Sequence, residues 1–283
     1  MPETAPAARV DTDPVRTHPI ALVPAVLVCG AAVALFGFLV PVLGYAMLAA
    51  GLVAAWLCDR SGRTSRLAPD LLLIALGQAI ISTMPLAADI TWPAMVRFAL
   101  VLGAAVAVPF LISRFVYRDH VIVFPWRTGR RWTRTQWIYL VAVVGAGWVI
   151  LPFYFISSGV YQNWPTVTEP SEIARLFVGV NAVGTWDELF FVCTVFALLR
   201  RHFPTWQANA LQAVVFVSFL WELGYRSWGP LLTIPFALVQ GYTFKLTKSL
   251  TYVLVVHLAF DAIVFCVIVY AHNGWPAIFP FAP

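Results

Sequence analysis

The sequence predicts an all-α membrane protein, a polytopic bundle of about eight or nine transmembrane helices. Of its 283 residues, 61% are hydrophobic and only 11% are charged, whereas soluble domains average about 25% charged residues. Apolar stretches of about 20 residues recur along the chain, and each is long enough to cross a bilayer as a helix. These stretches lack the alternating pattern of short strands that a transmembrane β-barrel requires.

We interpret the apolar stretches as nine spans. They cover residues 19–39, 42–57, 68–88, 93–114, 137–158, 174–199, 208–228, 230–247 and 250–272. The sequence around Pro41 also fits a kinked or re-entrant hairpin, which would leave eight spans or fewer. The chain then divides into four parts: a disordered cytoplasmic tail (1–18), N-terminal transmembrane helices (19–158), a C-terminal transmembrane core (174–272) and a C-terminal tail (273–283).

The loop charges predict the orientation of the bundle. Basic residues fall in alternate loops and at adjoining span ends: Arg60, Arg63, Arg66, Arg114, Arg118, Arg127, Arg130, Arg131, Arg134, Arg200, Arg201, Lys245 and Lys248. The other loops carry Asp89, Glu169 and Glu172. The positive-inside rule therefore predicts a multi-pass plasma-membrane protein with a cytoplasmic N-terminus. The net charge of +5 is explained by these loops, so we expect the lipid bilayer, and no nucleic acid, as a partner.

Three predicted spans in the C-terminal core contain ionisable residues. They are Asp187, Glu188, Glu222, His257 and Asp261. A charge at bilayer depth costs on the order of 3 kcal/mol, so such groups usually face a partner, a cavity or a reacting group. His257 and Asp261 lie four residues apart, on one helix face. Asp187 points about 100° away from Glu188, so the two cannot face the same atom. Depths counted at about 1.5 Å per residue from the basic loops are compatible with one shared site.

The residue types leave several chemistries open for this site. A carboxylate can activate water as a general base while a second polar group stabilises the developing negative charge. Alternatively, the ligand set Glu188, Glu222, His257 and Asp261 suits a divalent metal such as zinc or manganese. A proton or ion relay in a transporter is a third interpretation. A hydrogen-bonded core network without chemistry is the fourth.

The order of the motifs resembles the CPBP family, the CAAX-protease and bacteriocin-processing (Abi) intramembrane metalloproteases. The first family motif, E-E-x-x-x-R, is similar to the segment from Asp187 to Val192. The second, F-x-x-x-H, is similar to the segment from Ser218 to Glu222, and the last, H-x-x-x-[ND], to that from His257 to Asp261. The resemblance covers residues 174–270. In this chain Asp187 replaces the first Glu, Val192 the Arg, Ser218 the Phe and Glu222 the second-motif His.

The resemblance implies an intramembrane metallo-endopeptidase that hydrolyses a membrane-embedded peptide substrate. Glu188 or Asp187 would be the base that activates water, and His257 with Asp261 would stabilise the oxyanion or bind the metal, zinc being the expected ion. Glu222 would serve as an alternative ligand or acid. The replaced Arg and His keep a second interpretation open, an inactive family member that acts as a membrane scaffold or as an accessory subunit of an envelope complex. A small transporter is the third.

Overall fold

The computed structural model describes residues 18–126, 129, 131–275 and 278–279. Within these residues all regular secondary structure is helical and no strand is present, which confirms the predicted fold class. The predicted N-terminal tail lies outside the described residues except for His18, as does most of the C-terminal tail.

The described part of the chain contains nine long helices and a short 3₁₀ helix (Val160–Asn163). The long helices are α1 (Pro19–Gly37), α2 (Pro41–Arg60), α3 (Leu67–Ile81), α4 (Trp92–Val116), α5 (Arg134–Ser157), α6 (Pro170–Leu199), α7 (Thr205–Leu223), α8 (Pro230–Thr247) and α9 (Leu250–Asn273). Six of these described helices, α1, α2, α4, α5, α6 and α9, are long and apolar enough to cross a membrane. Helix α3 is a shorter apolar helix. The helix count agrees with the predicted eight to nine spans.

Two predicted spans end earlier than the hydropathy suggested. Helix α3 stops at Ile81 because Ser82 and Thr83 bond back to the last turn and Pro85 follows, so residues 82–91 form a loop. Helix α7 stops at Leu223 because Gly224 adopts a φ of 137°. The first apolar block divides near Pro41, which is the first residue of α2.

The packing places α6 at the centre of the bundle. One hydrophobic core joins α6 to α1, α2, α3, α4 and α7, and a second joins it to α5 and α9. Of the six long apolar helices described, α6 has the largest buried share. Its polar residues at Asp187 and Glu188 are therefore held between neighbours on several sides.

A group of charged side chains ties one end of the bundle together, and we call it the end cluster (Arg66, Asp70, Asp119, Arg201 and His202). Arg201 lies 3.2 Å from Asp70 and also pairs with Asp119, which Arg66 approaches to 3.1 Å. His202 Nε2 lies 2.6 Å from Asp70 Oδ2. The cluster joins the α2–α3, α4–α5 and α6–α7 connections. These three loops therefore lie at the same end, as the predicted topology requires.

Candidate functional site

Four of the five ionisable residues predicted for the site meet in the middle of the bundle. Asp187 and Glu188 come from α6, and His257 and Asp261 come from α9, which packs along α6. Their side chains are almost completely buried, with between 1% and 6% of each residue exposed. We call this group the central cluster.

The imidazole of His257 is the hub of the central cluster. Its Nδ1 lies within hydrogen-bond distance of Glu188 Oε1, at 2.7 Å. Its Nε2 lies 3.7 Å from Asp187 Oδ2 and 3.9 Å from Asp261 Oδ1. Asp187 and Glu188 point in different directions from α6, as the helical spacing predicts, but the ring of His257 lies between them and meets both.

Helix α6 changes its winding at this point. The segment Glu188–Phe196 has π-helical hydrogen bonding, whereas Pro170–Asp187 is α-helical. Such π-helical segments occur often at functional sites, because they shift the direction in which side chains leave the helix. The acidic pair lies on the boundary between the two windings.

Gln240 of α8 is a member of the site that the sequence analysis did not single out. Its Nε2 donates to Glu188 Oε1 at 2.8 Å and to the carbonyl of Val253 at 3.1 Å. The amide therefore ties α8 to both α6 and α9 and fixes the carboxylate that holds His257. A buried amide in an otherwise apolar helix was the signal available in the sequence.

Gly184 is the second residue that sequence reasoning missed. A Cβ atom built at this position would lie 1.8 Å from Asp261 Oδ2 and 3.3 Å from His257 Cδ2. Only a residue without a side chain lets α9 bring Asp261 this close to α6. The signal was weak, because a glycine inside a helix shows its reason only once the neighbouring helix is known.

The central cluster carries more carboxylate oxygens than it has donors. Within the described residues, Asp187 Oδ1, Glu188 Oε2 and Asp261 Oδ2 are buried and have no hydrogen-bond partner. An isolated buried carboxylate is costly unless it is paired or neutralised. These three carboxyl oxygens can therefore accept a proton or a hydrogen bond from a polar ligand.

A cavity of about 730 Å³ lies against the central cluster. Asp187, His257 and Asp261 form part of its wall, and most of the remainder is apolar and comes from α4, α5, α6, α8 and α9. Ile150 and Leu231 line it and are exposed on the surface of the bundle. The cavity is therefore accessible from the side of the helices that faces lipid. Glu188 is not part of its wall.

Glu222 lies apart from the central cluster in the described structure. It is the penultimate residue of α7, and its Oε1 accepts a hydrogen bond of 3.0 Å from the backbone N–H of Leu86 in the α3–α4 loop. Its described contacts do not include Asp187, Glu188, His257 or Asp261. The structure therefore gives Glu222 a place at the end of the bundle.

The donors do not have the arrangement of the expected metal site. In the part of the chain that the structure describes, no group of three or more His, Cys, Asp or Glu side chains is arranged to hold a metal ion. The four predicted ligands are also divided, since Glu222 does not join the other three. The arrangement present does not fit a metal centre, and the role of zinc stays a prediction from the resemblance.

These features define a class: a polytopic helical membrane protein with a buried acid–imidazole cluster open to an apolar cavity. Residues 169–263 match the family described as type II CAAX prenyl endopeptidase Rce1-like. This match supports the resemblance to the CAAX-protease (CPBP) family that the motifs predict. The matched segment contains the whole central cluster, Gly184 and Gln240, and covers about a third of the chain. Comparisons with curated proteins and with solved structures found no match.

Proposed function

We propose that the protein is an intramembrane endopeptidase that hydrolyses a peptide bond held in the apolar cavity. The observation that carries this proposal is His257, whose two ring nitrogens face carboxylates while the ring itself borders the cavity. This arrangement offers a base, a donor and a space for an apolar peptide within one site.

In the proposed reaction, Asp187 takes a proton from a water molecule in the cavity as the water attacks the peptide carbonyl. We assign the base to Asp187 because it borders the cavity, whereas Glu188 lies behind His257. The carboxylic acid formed on Asp187 then gives its proton to the leaving amine, so the proton balance closes.

His257 supplies the stabilising donor in this scheme. With a proton on each ring nitrogen, it donates Nδ1–H to Glu188 and directs Nε2–H towards the cavity, where the oxyanion develops. Glu188, fixed in turn by Gln240, orients the ring. A donor held in place before the reaction is worth about 3–4 kcal/mol at such a site. Asp261 lies beside Nε2 and completes the polar wall.

The end cluster supports the predicted orientation. It brings three loops together at one end of the bundle, with basic residues from the α2–α3 and α6–α7 loops, while Asp89 lies in the α3–α4 loop, which the chain order places at the other end. We therefore propose a plasma-membrane protein whose N-terminus and end cluster are cytoplasmic. The cavity then opens towards the outer half of the membrane.

The test is proteolysis of apolar membrane peptides by the purified protein in nanodiscs. We expect Asp187→Asn and His257→Ala each to reduce kcat/KM by about 10²–10⁴-fold, the usual contribution of acid–base groups. Glu222→Gln is the matched control and keeps activity, because Glu222 contacts the α3–α4 loop instead of the cluster. Full activity in both cluster variants would disprove the assignment.

A non-enzymatic scaffold is the second candidate. It is favoured by Glu222, which stands at the position of the second-motif His yet binds Leu86 N–H. It predicts that the double variant Asp187→Asn/His257→Ala keeps full cellular function and still co-purifies with a membrane protein partner. Loss of cellular function in a correctly folded double variant would exclude it.

A further inference from the structure

The proposed reaction needs hydrogen-bond donors for the oxyanion, and the central cluster supplies few. In the proposed scheme His257 Nε2–H is one donor. Asp261 Oδ1 lies 3.9 Å from that nitrogen, but an ionised carboxylate accepts hydrogen bonds and donates none. Each donor held at the developing negative charge lowers the barrier, so a second donor in the cavity wall would have a role in the same step.

The cavity wall contains other side chains that carry an O–H or N–H group. Besides His257, seven described lining residues have one. Five of them form hydrogen bonds with other parts of the chain: Tyr139, Tyr154, Thr185, Trp186 and Thr233. The other two are Trp164 and Tyr225. Trp164 is 5% exposed, and its ring packs against Phe155 and Tyr225. Tyr225 is therefore the candidate for a donor that a ligand in the cavity can reach.

The backbone of Tyr225 is held on both sides. The residue lies in the connection between α7 and α8. The carbonyl before it, on Gly224, accepts a hydrogen bond of 2.7 Å from Asn163 Nδ2. The carbonyl after it, on Arg226, accepts one of 2.7 Å from the hydroxyl of Tyr154. The 3₁₀ helix and α5 therefore fix the position from which the side chain of Tyr225 leaves the chain.

The ring of Tyr225 is held as well, while its hydroxyl has no partner. The ring lies 5.2 Å from that of Trp164 and 5.7 Å from that of Phe155, at angles of 89° and 83°. The carboxyl groups of Asp261 and Asp187 act electrostatically on the hydroxyl. Among the described residues this hydroxyl forms no hydrogen bond, although a tyrosine packed in this way usually has a partner. It is therefore available to a ligand beside the central cluster.

We propose that Tyr225 is a further catalytic residue, which donates its O–H to the oxyanion that His257 also binds. The phenol supplies the donor that an ionised Asp261 lacks. It keeps its proton throughout, since Asp187 carries the proton from the attacking water to the leaving amine. The effect on cleavage rests on the proposed endopeptidase function, whereas the recognition of a tetrahedral carbon centre by Tyr225 does not.

The first test is kinetic, with the purified protein in nanodiscs and an apolar peptide substrate. Tyr225→Phe removes the hydroxyl and keeps the ring contacts with Trp164 and Phe155. We expect kcat to fall by about 10²-fold with KM nearly unchanged, because the lost donor acts in the transition state. Tyr252→Phe is the matched control and keeps kcat, because its hydroxyl donates to the carbonyl of Gln136 and the residue does not line the cavity. Full kcat in Tyr225→Phe overturns the proposal.

The second test does not depend on cleavage. It compares two uncleavable apolar peptides of the same sequence, one with a difluoromethylene ketone, whose hydrate is tetrahedral, and one with a planar alkene at the same bond. We expect the protein to bind the ketone at least about tenfold more tightly, a difference of about 1.4 kcal/mol. Tyr225→Phe should lose this preference and bind the alkene as before, which also shows that the variant is folded.

The outcomes of the binding test separate the two proposals. A preference for the ketone that survives in Tyr225→Phe overturns the role of Tyr225, as does the absence of a preference in the unmodified protein or of binding by either peptide. A preference that depends on Tyr225, in a protein that cleaves no peptide, supports the donor role and refutes only the endopeptidase function.

Discussion

The described structure contains two buried acid–histidine pairs that have nearly the same separation and differ in their surroundings. His257 lies 2.7 Å from Glu188 in the central cluster, and His202 lies 2.6 Å from Asp70 in the end cluster. All four residues are at most 5% exposed. The pair itself therefore does not distinguish a functional group from a structural one.

The groups around each pair make the distinction. In the end cluster, Arg201 and His202 engage both oxygens of Asp70, and Arg66 and Arg201 neutralise Asp119. The central cluster has no arginine among its described contacts, leaves three carboxyl oxygens without partners and borders a cavity. A cluster in which basic groups pair with the carboxylates holds loops together. A cluster with unpaired carboxyl oxygens can still bind or transfer a proton.

The largest effect we predict is on stability, from the same substitution made in each cluster. Asp70→Asn should lower the free energy of unfolding by about 3 kcal/mol, because it places an amide against Arg201 and His202 and removes a buried charge partner. Asp187→Asn should leave stability unchanged or raise it, because it removes a buried carboxylate with an unpartnered oxygen. Unfolding of the two variants in detergent, by heat and by denaturant, measures both. Similar losses in the two would remove the distinction between the clusters.

The next largest effect concerns the close approach of α6 and α9 that the central cluster needs. Gly184→Ala should reduce kcat/KM by about 10²-fold, since displacing a reacting group by about 1 Å costs this much. The new Cβ atom would overlap Asp261 Oδ2. Gly145→Ala in α5 is the control, because a Cβ atom there meets nothing within 4 Å and the residue does not line the cavity. The measurement is kcat/KM of both variants. Equal values would show that activity does not require the close approach of α6 and α9.

The sequence predicted the positions of the helices along the chain well. It did not predict how α6 and α9 are rotated about their axes at the site. Where polar residues bound a hydropathy run, it gives the span ends, so the predicted 250–272 is close to Leu250–Asn273 of α9. It does not give ends that are set by a turn inside an apolar run, as in α3 and α7. The spacing of His257 and Asp261 predicted their shared face. Which member of the acidic pair meets the cavity depends on how α6 and α9 rotate against each other. That rotation is set by packing between residues distant in sequence, which no local pattern contains.

Packing between residues distant in sequence also explains why the sequence analysis misplaced Glu222 and did not identify Gln240 and Gly184. Glu222 was expected inside a span that reached residue 228, but α7 ends at Leu223 and places the residue at the helix terminus. Gln240 became part of the site only when α8 was seen to pack beside Glu188. Gly184 matters because of space needed by a side chain 77 positions later in the sequence.

A smaller effect, about tenfold in kcat/KM, is predicted for the residue that orients Glu188. Gln240→Leu removes the donor to Glu188 Oε1 while keeping the apolar volume of the side chain. We expect kcat to fall with KM nearly unchanged and the pH profile of kcat to shift, because the ring of His257 loses its fixed partner. Gln212→Leu removes another buried amide, which bonds to Asn209 and Ala237. This control should change stability without moving the pH profile.

The smallest effect sharpens the view of the end cluster as structural. Burial alone would raise the pKa of Asp119, but the hydrogen bond and charge of Arg201, the N–H of His120 and the charge of Arg66 outweigh it and hold that pKa below its usual range. A lowered folded-state pKa contributes stability above the unfolded pKa of about 3.9. That stability is lost as the pH falls through the folded value.

Asp119→Asn should therefore reduce the loss of folding stability as the pH falls. The effect should be less than about 1 kcal/mol, because Arg66 and Arg201 are partly exposed and solvent screens their interaction with Asp119. Thermal midpoints between pH 3 and pH 7 measure the effect. Proteolysis should be unaffected at neutral pH, since Asp119 does not line the cavity. An unchanged loss of stability at low pH would mean that these charges set topology without stabilising the fold, and the contrast between the clusters would then depend on Asp70 and His202 alone.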